Sequence, residues 1–516
     1  MAGSTDLERI YGQLNSCSER SRGIWFVPGV SGVIPYRQTP RLGSGRASWR
    51  LSVKRLLAII FVLTISSCAQ FHDQPLSATK SLDGFESRTL NRADLNTYVQ
   101  AHIPAAQWPL QAWDLTSLTL AAFFYHPDLD VARARWAFAK AGVKAAGEPP
   151  NPKVTVSPGF NSTTESISRW IVGAAVEIPI VTAGKRGYQL AQAEHLSEAA
   201  RMHIAAVAWQ VRSRVREALL DLYGANETEG LLIKRRSVQA QCLELLQQQL
   251  DAGEISGLVV NQASIDFHAT VVELLDARKK QAEARVELAD AIGVPAKALD
   301  GIDILFNGFE GLPSTLPKPE VRRRALLNRA DVLAALAVYQ ASQSSLQLEV
   351  ARQYPDIDIG PGYEYDQGDN KWALGISLTL PVLNQNRGAI AAAEARRTEA
   401  AAEFTALQSH ILGQIERAVA GLKASMDKAR TAEIIAEKLE QKATTMQKMF
   451  EAGEVLMLAV AGARLEQNSN ALLLLRARID VQEAMGQLED AMQSPADLSD
   501  WQETVLQSDI DKRGTS

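Results

Sequence analysis

Two halves of this chain say the same thing about 200 residues apart, and that repetition limits the fold more than any other feature. "NPKVTVSPGF" (151–160) matches "YPDIDIGPGY" (354–363), and "RWIVGAAVEIPI" (169–180) matches "KWALGISLTLPV" (371–382). The second match pairs Trp170 with Trp372 and Pro179 with Pro381. "GKRGYQLAQAE" (184–194) runs beside the looser "NQNRGAIAAAE", placing Gly187 opposite Gly388. "LDAGEISGLVV" (250–260) matches "FEAGEVLMLAV" (450–460), and Pro295 and Pro495 close both copies at the same offset. Upstream, "HPDLDVARA" (126–134) echoes "RADVLAALA" (329–337).

Each copy has one grammar. A helical stretch comes first, around 117–147 and 319–353. Two strands follow. In the second copy Ile357, Ile359, Tyr363 and Tyr365 alternate with Asp356, Asp358, Gly362 and Glu364. After "DQGDN", Leu374, Ile376, Leu378 and Leu380 alternate with Gly375, Ser377 and Thr379. Period two marks strands with one apolar and one polar face, and the short loop suits a hairpin. Trp170, Val172, Ala174, Val176 and Ile178 alternate likewise. Each strand has roughly 9–11 residues, the length that crosses a bilayer at a tilt. A very long helix follows each pair, from about Tyr188 to Gln249 and from Ala389 to Phe450. Ile204, Ala208, Val211, Val215, Ala218 and Leu222 form a coiled-coil seam, and Phe404, Leu407, Ile411, Ile415, Ala418 and Leu422 form its counterpart. Each long helix ends at "AGE", where Gly253 and Gly453 suit a left-handed C-cap, and a returning helix follows.

"LLAIIFVLTISSCAQ" (56–70) is the most apolar run, and it is shorter than the roughly 20 residues that span a bilayer as a helix. Basic Arg50, Lys54 and Arg55 precede it and Ser66 and Ser67 follow, which is the layout of an export signal. "ISSC" resembles a bacterial lipobox, whose cysteine, here Cys68, carries the lipid anchor and becomes the first mature residue. Ala69 after it resembles lipoproteins sent on to the outer membrane. Residues 1–50 read as a prefix ahead of the true start, with Leu51 or Val53 as alternative starts. The other cysteines, Cys17 and Cys242, form no zinc or CxxC spacing, and the net charge of −5 argues against nucleic acid as a partner. With no spanning helix, a membrane crossing must be a β-barrel. Four strands per chain cannot close one, since the smallest have about eight, so several chains must share it.

The two-fold repeat, the strand–Pro–helix junctions and the paired "AGE" turns resemble the TolC family of outer-membrane efflux proteins across nearly all of the mature chain. The resemblance implies a mainly α fold with a transmembrane β-barrel portion: long coiled-coil hairpins plus four strands per chain, in a trimeric α/β barrel. It implies a passive channel of a tripartite efflux pump, exporting small molecules or metal ions. Its partners would be two further copies, a periplasmic adaptor, an inner-membrane pump, and outer-membrane lipid. "PIVTAGKRG" resembles members serving resistance–nodulation–division pumps. The expected organisation is a signal region with its prefix (1–67), an N-terminal periplasmic segment (68–115) and a first repeat (116–295) holding a β-hairpin (153–181) and a helical hairpin (185–293). A linker (296–318), a second repeat (319–495) with β-hairpin 356–383 and helical hairpin 388–493, and a tail (496–516) complete it.

No P-loop, His–Glu zinc motif or G-x-S-x-G elbow is present, so no enzyme, metal centre or cofactor is expected. His195 and His203, eight apart on one helix, read as surface positions. The expected adaptor-docking tips are Ala252, Gly253, Glu254, Ile255 and Leu258, with Ala452, Gly453, Glu454, Val455 and Leu456. Ile255, Leu258, Val455 and Leu456 are expected to be exposed anchors, against the plainer role of stapling their own turn. Some family members close the entrance with aspartate rings after the second tip. Here "LMLAVAGA" (456–463) has no acid, and Glu254 and Glu454 are the nearest, as ring or as solvated turn residues. Glu177, Asp356, Asp358 and Glu364 are candidate lumen acids, or the ordinary polar lining of a barrel. Trp170 and Trp372 suit an interfacial girdle or strand-end packing, and Pro179 and Pro381 are expected to end their strands. The rival classes are a periplasmic adaptor, which would carry one hairpin flanked by small β-domains, and a coiled-coil structural lipoprotein.

Overall fold

The computed structural model describes residues 71–103, 108–163, 165–311, 323 and 326–494. The lipobox cysteine Cys68, the prefix and the tail lie outside the described residues. All the helices and strands described belong to one compact unit, which begins at Ser77.

Helices α1 (Ala78–Glu86) and α2 (Ala93–His102) lead to a two-residue strand, β1 (Ala112–Trp113). Helix α3 (Leu115–Tyr125) starts at a reciprocal cap. The Asp114 carboxylate accepts from Ser117 N–H at 2.8 Å, and Ser117 Oγ accepts from Asp114 N–H at 2.9 Å. The helical stretch read around 117–147 consists of two helices, because Pro127 cannot continue α3. It opens α4 (Pro127–Gly147), with the His126 imidazole as N-cap, accepting from Asp128 N–H at 3.2 Å.

Strands β2 (Lys153–Phe160) and β3 (Trp170–Ile180) precede α5 (Lys185–Asp251), and α6 (Gly257–Ile292) returns beside it. A 67-residue helix is about 100 Å long. A 3₁₀ turn (Ala296–Leu299), strand β4 (Asp303–Ile304) and a four-residue helix, α7 (Asn307–Glu310), follow. β4 pairs in parallel with β1, tying the segment before the first repeat to the segment after it. The second repeat supplies α8 (Ala330–Ala351), β5 (Ile357–Asp366), β6 (Asp369–Leu378), α9 (Arg387–Glu451) and α10 (Met457–Met492). Each long helix packs against its returning helix and against the short helix of its own repeat. α5 also packs on α8 and α10, which joins the two halves.

The seams read from the sequence are buried, except that Phe404 and Leu407 of the second are half-buried. Ile204, Ala208, Val211, Val215, Ala218 and Leu222 lie in the larger core with Trp113, Leu118 and Leu288. Ile411, Ile415, Ala418 and Leu422 lie in the smaller one with Val481 and Leu488. Toward the tips the hairpin interior thins to small or isolated groups such as Cys242, Leu246, Val260, Ala443 and Val460. Burial alone pushes the Cys242 thiol pKa up, as for a structural cysteine. Among the described residues no helix is long and apolar enough to cross a membrane.

Candidate functional site

The four long strands form one antiparallel sheet in the order β2-β3-β5-β6. Its pairings place Phe160 against Trp170, Tyr365 against Val172, and Tyr363 against both Ala174 and Trp372. Cross-strand partners share a face. One face therefore carries Val154, Val156, Phe160, Trp170, Val172, Val176, Ile178, Ile357, Ile359, Tyr363, Tyr365, Trp372, Leu374, Ile376 and Leu378. The other carries Lys153, Thr155, Ser157, Gly173, Ala175, Glu177, Asp358, Gly362, Glu364, Lys371, Ala373, Gly375 and Ser377. A sheet that is apolar on one side, Asn370 aside, and small or polar on the other, Ile171 and Pro179 aside, suits a wall between lipid and water. The aromatics gather near the hairpin turns, with Phe160 and Trp170 rings 5.2 Å apart and Tyr363 and Trp372 4.9 Å apart.

β5 approaches β3 with no room to spare. A Cβ on Gly360 would overlap the Val176 carbonyl oxygen, so only glycine fits there. By contrast, a Cβ on Gly375 would meet its nearest atom, Gly360 O, at an ordinary 3.6 Å.

The candidate lumen acids do not all stand free. Glu177, Asp358 and Glu364 lie on the polar face, but Lys153 pairs with Glu177 at 3.3 Å. Lys371 lies opposite Glu364 and bonds Asp366 at 2.5 Å. Neither lysine stood out in the sequence. Asp356 departs from the expectation. It precedes β5 and belongs to the strand-to-helix junction, where its Oδ1 accepts from Lys185 Nζ (2.8 Å) and Thr182 N–H (2.9 Å). Burial pushes that carboxyl pKa up, but these hydrogen bonds outweigh it and hold it below the usual range.

The junction prolines also differ from expectation. Pro381 lies beyond the end of β6, but Pro179 is inside β3, paired with Asp358 and one residue from the strand's end. There its missing N–H removes at most one ladder bond. The turn itself is made by Ala183 and Gly184 in the left-handed region (φ 55° and 70°) before α5, and by Asn386 (φ 58°) before α9.

The two tips match closely. Gly253 and Gly453 take φ of 77° and 78°. Gly253 and Glu254 N–H donate to Leu250 and Gln249 carbonyls, and Gly453 and Glu454 N–H to Phe450 and Met449, all at 2.9 Å. This is a Schellman turn in both copies. Ala252, Ala452, Glu254 and Glu454 are exposed, as are Leu258 (77%) and Leu456 (69%). Ile255 and Val455, expected to be exposed, are half-buried. Among the described residues no group of three or more His, Cys, Asp or Glu is placed to hold a metal; His203 is exposed, and His195, expected at the surface, is half-buried.

The sequence profile of the outer membrane efflux protein family matches residues 122–294 and 321–493, one copy on each repeat. The chain belongs to the outer membrane efflux protein family. It is 26% identical over 368 residues to the cobalt-zinc-cadmium resistance protein CzcC of Cupriavidus metallidurans, covering 68% of this chain and 81% of that protein. It is 24% identical over 306 residues to the pyoverdine export outer membrane protein OpmQ of Pseudomonas aeruginosa, covering 53% and 62%. Among solved structures, the outer-membrane channel OprN superposes with a TM-score of 0.62 at 18% identity, over 84% of this chain and 99% of that one. CusC superposes at 0.60 and 16% identity, over 82% and 99%. The family is one of outer-membrane channels, so this chain is a transport protein of the outer membrane and not an enzyme.

Proposed function

We propose that three copies of this chain form a passive tunnel through the outer membrane and across the periplasm, the outer part of a tripartite efflux pump. The observation that carries this is the sheet. Its two faces differ as a lipid–water wall requires, and both its edges, β2 and β6, lack a partner strand among the described residues of the chain. Open edges in lipid are prohibitively costly, so other copies must close them. Three copies supply twelve strands, an even number above the minimum of about eight.

The tips are the docking site for a periplasmic adaptor, which links them to an inner-membrane pump of the resistance–nodulation–division type. Leu258 and Leu456 are apolar, exposed and held by rigid turns, which suits helix-in-groove recognition. Ile255 and Val455 shape the turn beneath them. The favoured cargo is a divalent metal cation. CzcC bears on this by its name, and the polar face supports it with Glu177, Asp358, Glu364, Asp366 and Asp369 against Lys153 and Lys371. Cys68 serves as the lipid anchor of the mature chain.

Expression with its adaptor and pump in a channel-less Gram-negative host should lower cell-associated zinc, cobalt or cadmium. Unboiled gels should show a species near three chains. Leu258→Asp with Leu456→Asp should abolish efflux and leave that species intact. A detergent-solubilised monomer would sink the channel reading. Unchanged metal alongside falling levels of an organic compound would redirect the cargo.

A further inference from the structure

We infer the register of the seam between copies: β6 of one chain pairs antiparallel with β2 of the next, with Trp372 directly opposite Phe160 of the partner subunit. This rests on the oligomeric barrel proposed above and adds to it which residues meet.

The directions allow only one kind of seam. All three ladders within this sheet are antiparallel, so β2 and β6 run in opposite senses. Placing a second copy alongside brings its β2 antiparallel to this β6. β6 has neither proline nor bulge to blunt it, and all ten of its residues are exposed in the single chain. A bare edge of that length is a strand awaiting a partner.

The faces restrict the register further. Trp372, Leu374, Ile376 and Leu378 lie on the apolar face with Val154, Val156, Pro158 and Phe160. A one-residue slip would put every apolar side chain of the neighbour on the wrong side. Only even displacements between successive copies survive. For twelve strands, displacements of two, four and six residues per copy correspond to strand tilts of about 19°, 35° and 46°. Barrels of this kind tilt by roughly 35–45°, which disfavours two and leaves four and six.

The aromatic side chains choose between those. Followed along the hydrogen-bonded rows, Phe160 and Trp170 share one row. Tyr365 sits one pair lower, opposite Val172. Tyr363 and Trp372 share the row below that. The belt therefore descends four residues from β2 to β6. An interfacial girdle keeps one height around the barrel, while rows climb because strands tilt. The girdle closes on itself only if the next copy's Phe160 meets the row of Trp372, which is a displacement of four. The seam then pairs Val154 of the partner subunit with Leu378, Val156 of the partner subunit with Ile376, and Ser157 of the partner subunit with Gly375.

Cysteine pairs test this in the full chain, in outer membranes, in a Cys242→Ala background. Directly opposed residues have Cβ atoms about 4.5–5.5 Å apart, within reach of oxidation or a short thiol cross-linker. Ser157→Cys with Gly375→Cys should give covalent dimers and trimers in most chains, and each single variant none. The Gly375 position has room for the side chain. Val156→Cys with Ile376→Cys repeats the test on the other face. Ser157→Cys with Ser377→Cys, or with Ala373→Cys, samples displacements of six and two and should cross-link at least tenfold less. Preferential linking of either would overturn the register while leaving the trimer standing. Unboiled trimers with no link in any pair would overturn the β6–β2 seam itself. Monomers throughout would instead defeat the oligomeric reading.

Discussion

The two repeats meet the same geometric demands with different side chains. Where the returning helix ends, the first repeat uses Gly293 (φ 84°), and the second, two hundred residues later, uses Gln493 (φ 46°) in the same left-handed region. Gly293 is needed for space as well as conformation, since a Cβ there would lie 3.1 Å from His126 Cα and Tyr125 O. Gln493 accepts the strain and uses its side chain: its Oε1 accepts from Ala330 N–H at 3.1 Å, capping α8. His126 caps α4 itself, whereas its counterpart Arg329 makes no cap bond. Arg329 instead pairs with Asp331 and donates to the carbonyls of Asp490 and Ala491. At the strand-to-helix junctions Lys185 reaches into the other repeat, to Tyr354 O and Asp356. Asn386, in the matching place, stays within its own repeat and bonds Glu349. The turns and caps are thus fixed by the backbone's need for partners, while the chemistry that supplies them is free to differ.

The two repeats differ most in how their sheet strands tolerate an added side chain. Gly360→Ala should prevent β3–β5 pairing and abolish heat-modifiable trimers in outer-membrane fractions. Gly375→Ala should assemble as the parent does. Equal assembly of the two would show that β5 and β6 tolerate side chains alike. The next largest effect concerns a feature present in only one repeat. Glu489 is buried and meets Arg212 at 3.2 Å and Arg216 at 3.6 Å, whereas the first repeat has the buried Ala289 at the same offset. Gly486 leaves the room that Arg216 occupies. Glu489→Ala leaves two buried guanidinium groups without their carboxylate and should cost about 3–5 kcal/mol. Thermal unfolding in detergent would measure it, and Ala289→Gly, with no charge involved, should cost no more than about 1 kcal/mol.

Gly293→Ala and Gln493→Gly sharpen the comparison at smaller scale. The first adds left-handed strain and a tight contact, for a loss of about 2 kcal/mol. The second relieves about 1 kcal/mol of strain and gives up a cap of similar size, so its net effect should lie within about 1 kcal/mol of zero. If the two variants are equally destabilised, the glutamine cap contributes more than its geometry implies.

What could be read from the sequence was whatever repeats locally. The alternation in β5 and β6, the seam of α5 and the "AGE" turns each follow from neighbours in the chain, and each copy reinforced the other. β3 was fainter, because its polar side is made of Gly173 and Ala175 rather than charged residues. What could not be read depends on distant partners. Lys153 neutralises Glu177 across a hairpin, Lys185 holds Asp356 from 171 residues away, and Trp209 and Ser213 bond Asp490 from the other repeat. None of these has a local period. The acids looked alike in sequence, and only tertiary placement separated the junction residue Asp356 from the wall residue Glu364.

The smallest expected effect distinguishes the two caps by pH. His126 must be neutral to accept from Asp128 N–H, whereas no titratable group caps α8. Burial lowers the His126 pKa, and Arg214 lowers it further, outweighing the opposing pull of Asp128 and Asp290. A histidine whose folded pKa lies below its unfolded value of about 6.5 binds fewer protons folded than unfolded in the interval between them. Its contribution to stability is therefore complete above about pH 6.5 and is lost as pH falls through the folded value. His126→Asn keeps a cap acceptor without a titrating ring. It should match the parent within about 1 kcal/mol at pH 8 and lose less stability than the parent on acidification to pH 5.5. Hydrogen exchange at the first turns of α4 and α8 locates the effect. In the parent, acid should loosen α4 and leave α8 unchanged. If both loosen together, the pH response lies elsewhere than in the histidine cap.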